Sequence, residues 1–487
     1  MTATSRASGD VADSVLDATT AADDEYLREL GYEPKLTRAL GLFSNFSIQF
    51  GQIAPLGGIV FTLSVGLVAV GPAAMWPWLV AGALQVLISV LVAEACSAYP
   101  VAGGAYNIVS RRGGRFIGWQ TGWWIELAHI MSVSSSCIGI TPVILAWFGV
   151  TPSHWQTVGI AAGLIVLSTL INLATVKATS VFINASAVAT MLACGLVTLG
   201  AGAALLFGSH HANSLSTLFT TSGQVKGSIV LPLLYAALLP AIVINGFDVS
   251  GDLSEETKDA SRAVPKAMIR ANVASYAFGT VMIFVLLLAV GRIANTLAAT
   301  QPVTYILNPV TGHVLAKTFE VIAVVGLYVS AVVLQMAGAR VLWAQGRDNK
   351  LPFASFFTHL NKDHVPSYGL WFTAVVAFLS TLWSSLYVVL IAMTVVLWVA
   401  GYGVLLTVMY IGRLRKTVPH GAFQAPAWKI AYPVAIVWSA LLCAVLIYQN
   451  PRQVGVGLLI AVVAGLVVYR FLPKSAPAAA IAPDIPA

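Results

Sequence analysis

Charge is what this sequence lacks most. Only 9% of its 487 residues are Asp, Glu, Lys or Arg, whereas soluble domains carry about a quarter. With 58% hydrophobic residues and a mean hydropathy of +0.84, the chain has too few polar groups to cover a soluble surface. Cysteine is scarce too: Cys96, Cys137, Cys194 and Cys443 lie in apolar runs at no metal or redox spacing, as small buried hydrophobes do. There is no Walker loop, no His/Cys metal pattern and no nucleophile elbow, so neither an enzyme nor a cofactor is expected. Nor is there a cleavable signal peptide. The first 38 residues are polar and acidic, so the first apolar run is expected to act as its own insertion signal.

Long apolar runs are what the chain has in place of charge. A helix needs about 20 apolar residues to cross the hydrocarbon core. The reading gives twelve such runs: 39–67, 73–99, 118–148, 155–175, 181–207, 229–250, 268–291, 319–344, 368–383, 386–412, 429–449 and 453–472. The first two are separated by "GPAAMWPW" (71–78), whose glycine, proline and tryptophans suit an interfacial turn. With the amino terminus placed inside, 22 of the 26 Lys and Arg fall in inner loops or tails, as the positive-inside rule requires. Both termini are then cytoplasmic, and the net charge of +7 faces anionic lipid rather than a nucleic acid. The stretch up to about residue 22 and the tail "SAPAAAIAPDIPA" are expected to be disordered.

Two runs are interrupted. The first carries "IAPLGG" (Ile53, Ala54, Pro55, Leu56, Gly57, Gly58), and the sixth carries "INGFD" (Ile244 to Asp248). Unwound backbone inside a membrane is tolerated only where protein or a watery cavity satisfies it. Paired breaks in two halves of a chain are the best sequence pointer to a ligand site. They open two five-span units, with no sequence identity visible between them. A broken helix exposes N–H groups on one side and carbonyls on the other, which suits a zwitterion. The plainer alternative is that these glycines only pack or kink the helices.

Ionisable residues inside a span are costly and usually face a cavity or a partner. Glu126 and His129, at i and i+3, share one helical face about 8 and 11 residues past Gly118, close to mid-membrane at ~1.5 Å per residue. They suit proton relay or a cationic ligand, or else simply satisfy each other. Glu94 is expected to order an inner loop, and Glu320 to snorkel or cap. Ser254, Glu255 and Glu256 are expected against inner segments such as Arg111 to Arg115. Phe247 suits either an aromatic gate or core packing.

Five stretches together resemble one family. They are "LGYEPKLTRALGLFSNFSIQF" (30–50), "AEACSAYPVAGGAYNIVSRRGG" (93–114), "GWQTGWW" (118–124), "GFDVSGDLSEETKDASRAVPKAM" (246–268) and "ARVLWAQGRDNKLP" (339–352). They look like the amino acid–polyamine–organocation superfamily, most of all its amino acid/choline branch with GABA and choline permeases. The resemblance implies an all-α membrane protein of about 12 transmembrane helices, a LeuT-like 5+5 inverted repeat with discontinuous helices 1 and 6. The expected organisation is a cytoplasmic tail (1–38), first repeat (39–207), second repeat (208–412), two added spans (413–472) and a disordered cytoplasmic tail (473–487).

The implied activity is secondary active transport of an amino acid or related amine such as GABA, choline or a polyamine across the cytoplasmic membrane. Alternatives are ion-independent exchange on the same fold and, more remotely, a membrane sensor that moves nothing. Carried over, the substrate site takes Ile53 to Gly58, Ile242, Asn245, Gly246, Phe247 and Asp248. Asp248 is the acid beside substrate or, failing that, a helix cap. Some proton-coupled members carry a Lys in span 5; residues 181–207 have none. Ser330 suits a sodium site, and the coupling ion, H+ or Na+, stays open.

Overall fold

The computed structural model describes residues 20–207, 213–383 and 387–472. The expected disorder at residues 1–19 and 473–487, and the basic residues Arg6 and Lys474, lie outside the described residues. So do 208–212, which open the expected second repeat.

Among the described residues the regular structure is helical, apart from one isolated bridge between Leu40 and Thr257. A helix over residues 20–29 (α1) precedes α2 (Leu42–Ile53), α3 (Pro55–Val70), α4 (Met75–Ala98), α5 (Gly104–Arg112), α6 (Arg115–Trp147), α7 (His154–Leu173) and α8 (Val176–Phe207). Next come α9 (Val230–Ala236), α10 (Leu238–Val243), α11 (Val249–Asp252), α12 (Ala260–Ala289), α13 (Ile293–Ala298), α14 (Pro302–Thr311) and α15 (His313–Arg347). The described chain closes with α16 (Ala354–Phe357), α17 (Ser367–Thr381), α18 (Tyr387–Leu414), α19 (Trp428–Gln449) and α20 (Val456–Arg470).

Nine helical stretches among the described residues are long and apolar enough to cross a bilayer, and Val230–Val243 and Ser367–Thr381 are shorter apolar ones. One of the nine, Leu42–Ala98, runs for 57 residues. At ~1.5 Å per residue it would extend about 85 Å, against a hydrocarbon core of about 30 Å, so it cannot be one crossing. The helical path is broken at Gly71, where φ is +60° and an added Cβ would lie 2.7 Å from the Thr221 carbonyl oxygen. Only glycine meets both demands. The turn expected at 71–78 is thus confined to Gly71–Ala74, and Met75 to Trp78 already form the first turn of α4.

Span 8 is longer than hydropathy suggested. It was expected over 319–344, but α15 runs from His313 to Arg347. Its charged ends are compensated: Lys317 Nζ lies 3.0 Å from Glu320 Oε1, and Arg347 pairs with Glu255 at 2.7 Å. In its most apolar window 72% of α15 is buried, against 17% for the last apolar stretch, Pro451–Arg470. The former is central and the latter lines the rim. Around α15 pack α2, α3, α6 and α17, while α12 lies along α4 and α2.

Before α2 the chain runs as a clasp. The Leu40 N–H donates to the Glu256 carbonyl, and the Lys258 N–H donates back to Leu40, each at 2.9 Å. Arg38 donates to Asp24 Oδ1 at 2.8 Å and to the Thr257 carbonyl at 2.9 Å. The Asn45 amide reaches Thr257 Oγ1 at 2.9 Å. The start of the first span is thereby tied to the segment that follows α11.

Candidate functional site

The first interruption is one residue wide. Ala54 takes the left-handed conformation (φ 41°, ψ 61°), ending α2 and starting α3. Pro55 stands in the first helical position, where its missing N–H costs nothing. Pro55, Leu56, Gly57 and Gly58 are thus the first turn of α3, not an unwound stretch. The Gly58 N–H donates to the Ala54 carbonyl at 2.7 Å, which removes both groups from an expected ligand site. By position, Leu56 and Gly57 keep the amides without an intrahelical acceptor. Gly57 is also a contact glycine: a Cβ there would come within 2.9 Å of the Ala323 carbonyl oxygen on α15.

The second interruption is wider and covers the stretch named from the sequence, although Ile242, carried over from the family as a site residue, falls outside it. Ile242 is still helical in α10, and the non-helical residues run from Ile244 to Asp248. Glutamines replace the missing helical hydrogen bonds. Gln49 Nε2 donates to the Gly246 carbonyl at 3.0 Å, and its Oε1 accepts from the Ser250 N–H at 3.1 Å. Gln85 Nε2 donates to the Ile244 carbonyl at 2.9 Å. Asn245 Oδ1 accepts from the Gly246 N–H at 2.8 Å.

The two interruptions adjoin. Gly246 has φ +66°, and the Gln52 amide fills the space a side chain would need there. Gly58 leaves room for Val243 of α10. Ser330 on α15 donates to the Gln52 carbonyl at 2.6 Å, so its hydroxyl clasps the last turn of α2.

Asp248 is fully buried in the N-cap position of α11, but its side chain makes no capping hydrogen bond. Instead Oδ1 accepts from the Tyr402 hydroxyl at 2.7 Å. Phe247, also fully buried, packs its ring 5.1 Å from that of Tyr402.

One turn on, Asp252 is buried with neither oxygen hydrogen-bonded. From α6, His129 places Nε2 4.0 Å from Asp252 Oδ2 and Nδ1 4.0 Å from Glu126 Oε2. Glu126 Oε1 accepts from Thr373 at 3.3 Å. Its carboxylate has room only because residue 338 is glycine; a Cβ there would be 3.1 Å from both oxygens. Among the described residues no Lys or Arg pairs with Glu126, Asp248 or Asp252.

The sequence reading named Glu126, His129 and Asp248, and the structure brings them together. It missed Asp252, Tyr402 and the three glutamines. The i, i+4 spacing of the two aspartates was the available signal for Asp252, as glutamines inside apolar runs were for Gln49, Gln52 and Gln85.

Acids expected to be structural have basic partners. Arg340 holds Glu256 through Nη2 to Oε1 at 2.9 Å and Nε to Oε2 at 3.2 Å. Glu94 accepts from Arg413 at 2.5 Å and from Tyr432 at 3.1 Å. Glu255 and Glu256 therefore bind α15, not the expected Arg111 to Arg115 stretch. Arg111 instead donates to Asn107 and the Leu30 carbonyl and covers the Tyr32 ring. Glu320 does not snorkel: it is buried and accepts from Trp147, Thr304 and Lys317. On the short helix α5, the Tyr106 hydroxyl donates to Asp348 at 2.8 Å. Burial, then that carboxylate, push this phenol well above its ordinary range, so it remains an O–H donor.

Comparison with known families settles the class. The amino acid permease family model matches residues 40–469. The chain belongs to the amino acid permease family. This permease is 27% identical over 458 residues to the amino-acid permease BAT1 of Arabidopsis thaliana, covering 86% of each chain. It is 26% identical to amino-acid permease 2 of Neurospora crassa, over 89% of this chain and 83% of that one. It is 25% identical to the thiamine transporter thi9 of Schizosaccharomyces pombe, over 71% of this chain and 66% of that one. The permease is thus a multi-pass membrane protein of the amino acid–polyamine–organocation superfamily, whose members are transporters and not enzymes. The family implies a LeuT-like fold for its helices.

Proposed function

We propose that the permease is a secondary active transporter of the cytoplasmic membrane, carrying an amino acid or related amine by alternating access. In this reading twelve crossings leave both termini inside, and the first ten form two inverted five-helix repeats. The GABA and choline branch supplies the first substrates to try. What supports it most is the pair of adjoining interruptions, at Ala54 and at Ile244 to Asp248, beside the buried Asp248.

The substrate carboxylate meets the Leu56 and Gly57 amides at the positive end of α3. The ammonium meets carbonyls of Ile53, Ile242 and Asn245, with Asp248 supplying negative charge and Phe247 covering the site. Ala54, Pro55, Gly58 and Gly246 contribute shape. Transport is coupled to an H+ or Na+ gradient. The second reading, exchange without an ion, draws on the absence of Lys from residues 181–207 and on Ser330 being engaged by Gln52.

Counterflow in proteoliposomes with radiolabelled GABA, choline, putrescine and the common amino acids tests the transport reading. Folded protein that accumulates none of them rejects it. Uptake that survives collapse of both ion gradients and requires internal substrate selects the exchanger.

A further inference from the structure

The four side chains Glu126, His129, Asp248 and Asp252 gather three carboxyl groups in the interior with no Lys or Arg among the described residues to pair them. None of the four is more than 5% exposed. Each buried ion left unpaired costs several kcal/mol. Elsewhere in the same interior, Glu94, Glu255 and Glu256 each have an arginine. The imbalance is local to this cluster.

The groups without partners also converge. Both ring nitrogens of His129, both oxygens of Asp252, Asp248 Oδ2 and Glu126 Oε2 are buried without a hydrogen bond. One ligand atom each from His129, Asp248 and Asp252 lie within 4.8 Å of one another.

Acceptors arranged tetrahedrally around an ammonium at about 2.8 Å stand about 4.6 Å apart. A zinc-like ion at about 2.1 Å would draw its ligands to about 3.4 Å. The 4.0 Å between His129 Nε2 and Asp252 Oδ2 falls between these two spacings, so the ammonium is chosen because the proposed cargo of the carrier is an amine. Aromatic rings stand beside the cluster: Trp398 lies edge-on to His129 at 5.6 Å, and Tyr402, whose hydroxyl binds Asp248, packs against Phe247.

We infer that this cluster receives a primary ammonium on the side chain of the substrate, so that the preferred cargo is a cationic amino acid rather than a neutral one. The inference rests on the transport reading above and narrows its substrate class. The zwitterionic part sits at the interruptions, and Asp248 stands where the two subsites meet. His129 accepts through a ring nitrogen; Asp252 and Glu126 supply charge and further acceptors.

Counterflow with lysine, norleucine and Nε-acetyllysine tests it, because these share a chain but only lysine carries the ammonium. Lysine is expected to compete at least tenfold better than either analogue, and Asp252→Asn to move that ratio toward one. Norleucine competing as well as lysine in the unmodified protein overturns the inference and leaves the permease reading intact; the cluster is then neutralised by protons alone. Asp252→Asn protein that folds and keeps the full preference also overturns it. Should that variant not fold, the lysine-to-norleucine ratio of the unmodified protein decides. Folded protein that exchanges no amino acid removes the transport reading and this inference with it.

Discussion

Two groups of carboxylates share the interior of this permease at nearly equal depth of burial, and they are treated in opposite ways. Glu256 is held by both ends of the Arg340 guanidinium, Glu255 by Arg347 and Glu94 by Arg413. Glu126, Asp248 and Asp252 have hydroxyl donors or nothing. The paired acids join α15 and α18 to the segments after α11 and α4, and they are complete as they stand. In the reading proposed above, the second group is completed by the cation of the substrate. Burial alone therefore does not distinguish the two groups; the presence of an arginine does.

The contrast is sharpest at Arg340. Arg340→Met would strand Glu256 at 0% exposure and is expected to cost about 3–5 kcal/mol, read as a large fall in unfolding temperature in detergent. A loss below about 1 kcal/mol would abolish the distinction. Arg413→Met should cost less, about 1–3 kcal/mol, because Tyr432 still donates to Glu94. Asp248→Asn keeps an acceptor for the Tyr402 hydroxyl, so its unfolding temperature should hardly move while counterflow is lost. Full activity would demote Asp248 to a structural residue. Smallest of all is Asp252→Asn, which replaces a buried carboxyl that has no hydrogen-bond partner and should leave stability unchanged or slightly raised; a fall like that of Arg340→Met would show that the carboxyl is held by a stabilising partner.

Much of this was legible in the sequence for physical reasons. Apolar runs of about 20 residues admit few alternatives to helices in lipid, and Gly71, Gly246 and the Ala54–Pro55 step announce where helices stop. What a helical face meets was not legible. That Gly57 also lets the α15 backbone come close was not visible in the sequence. Glu255 and Glu256 lie close in sequence to basic inner loops, yet tertiary packing gave them Arg347 and Arg340. Asp252 drew no notice next to Asp248, and only the fold places it at 0% exposure beside His129.

The clasp around Leu40 has a mechanical consequence. The Leu40–Thr257 pairing, the Asn45–Thr257 contact and the Gln49 bonds to Gly246 and Ser250 stitch α2 to the chain on either side of α11 at successive levels. A displacement of one is therefore expected to carry the other with it, with bending concentrated at Ala54 and at Ile244–Asp248.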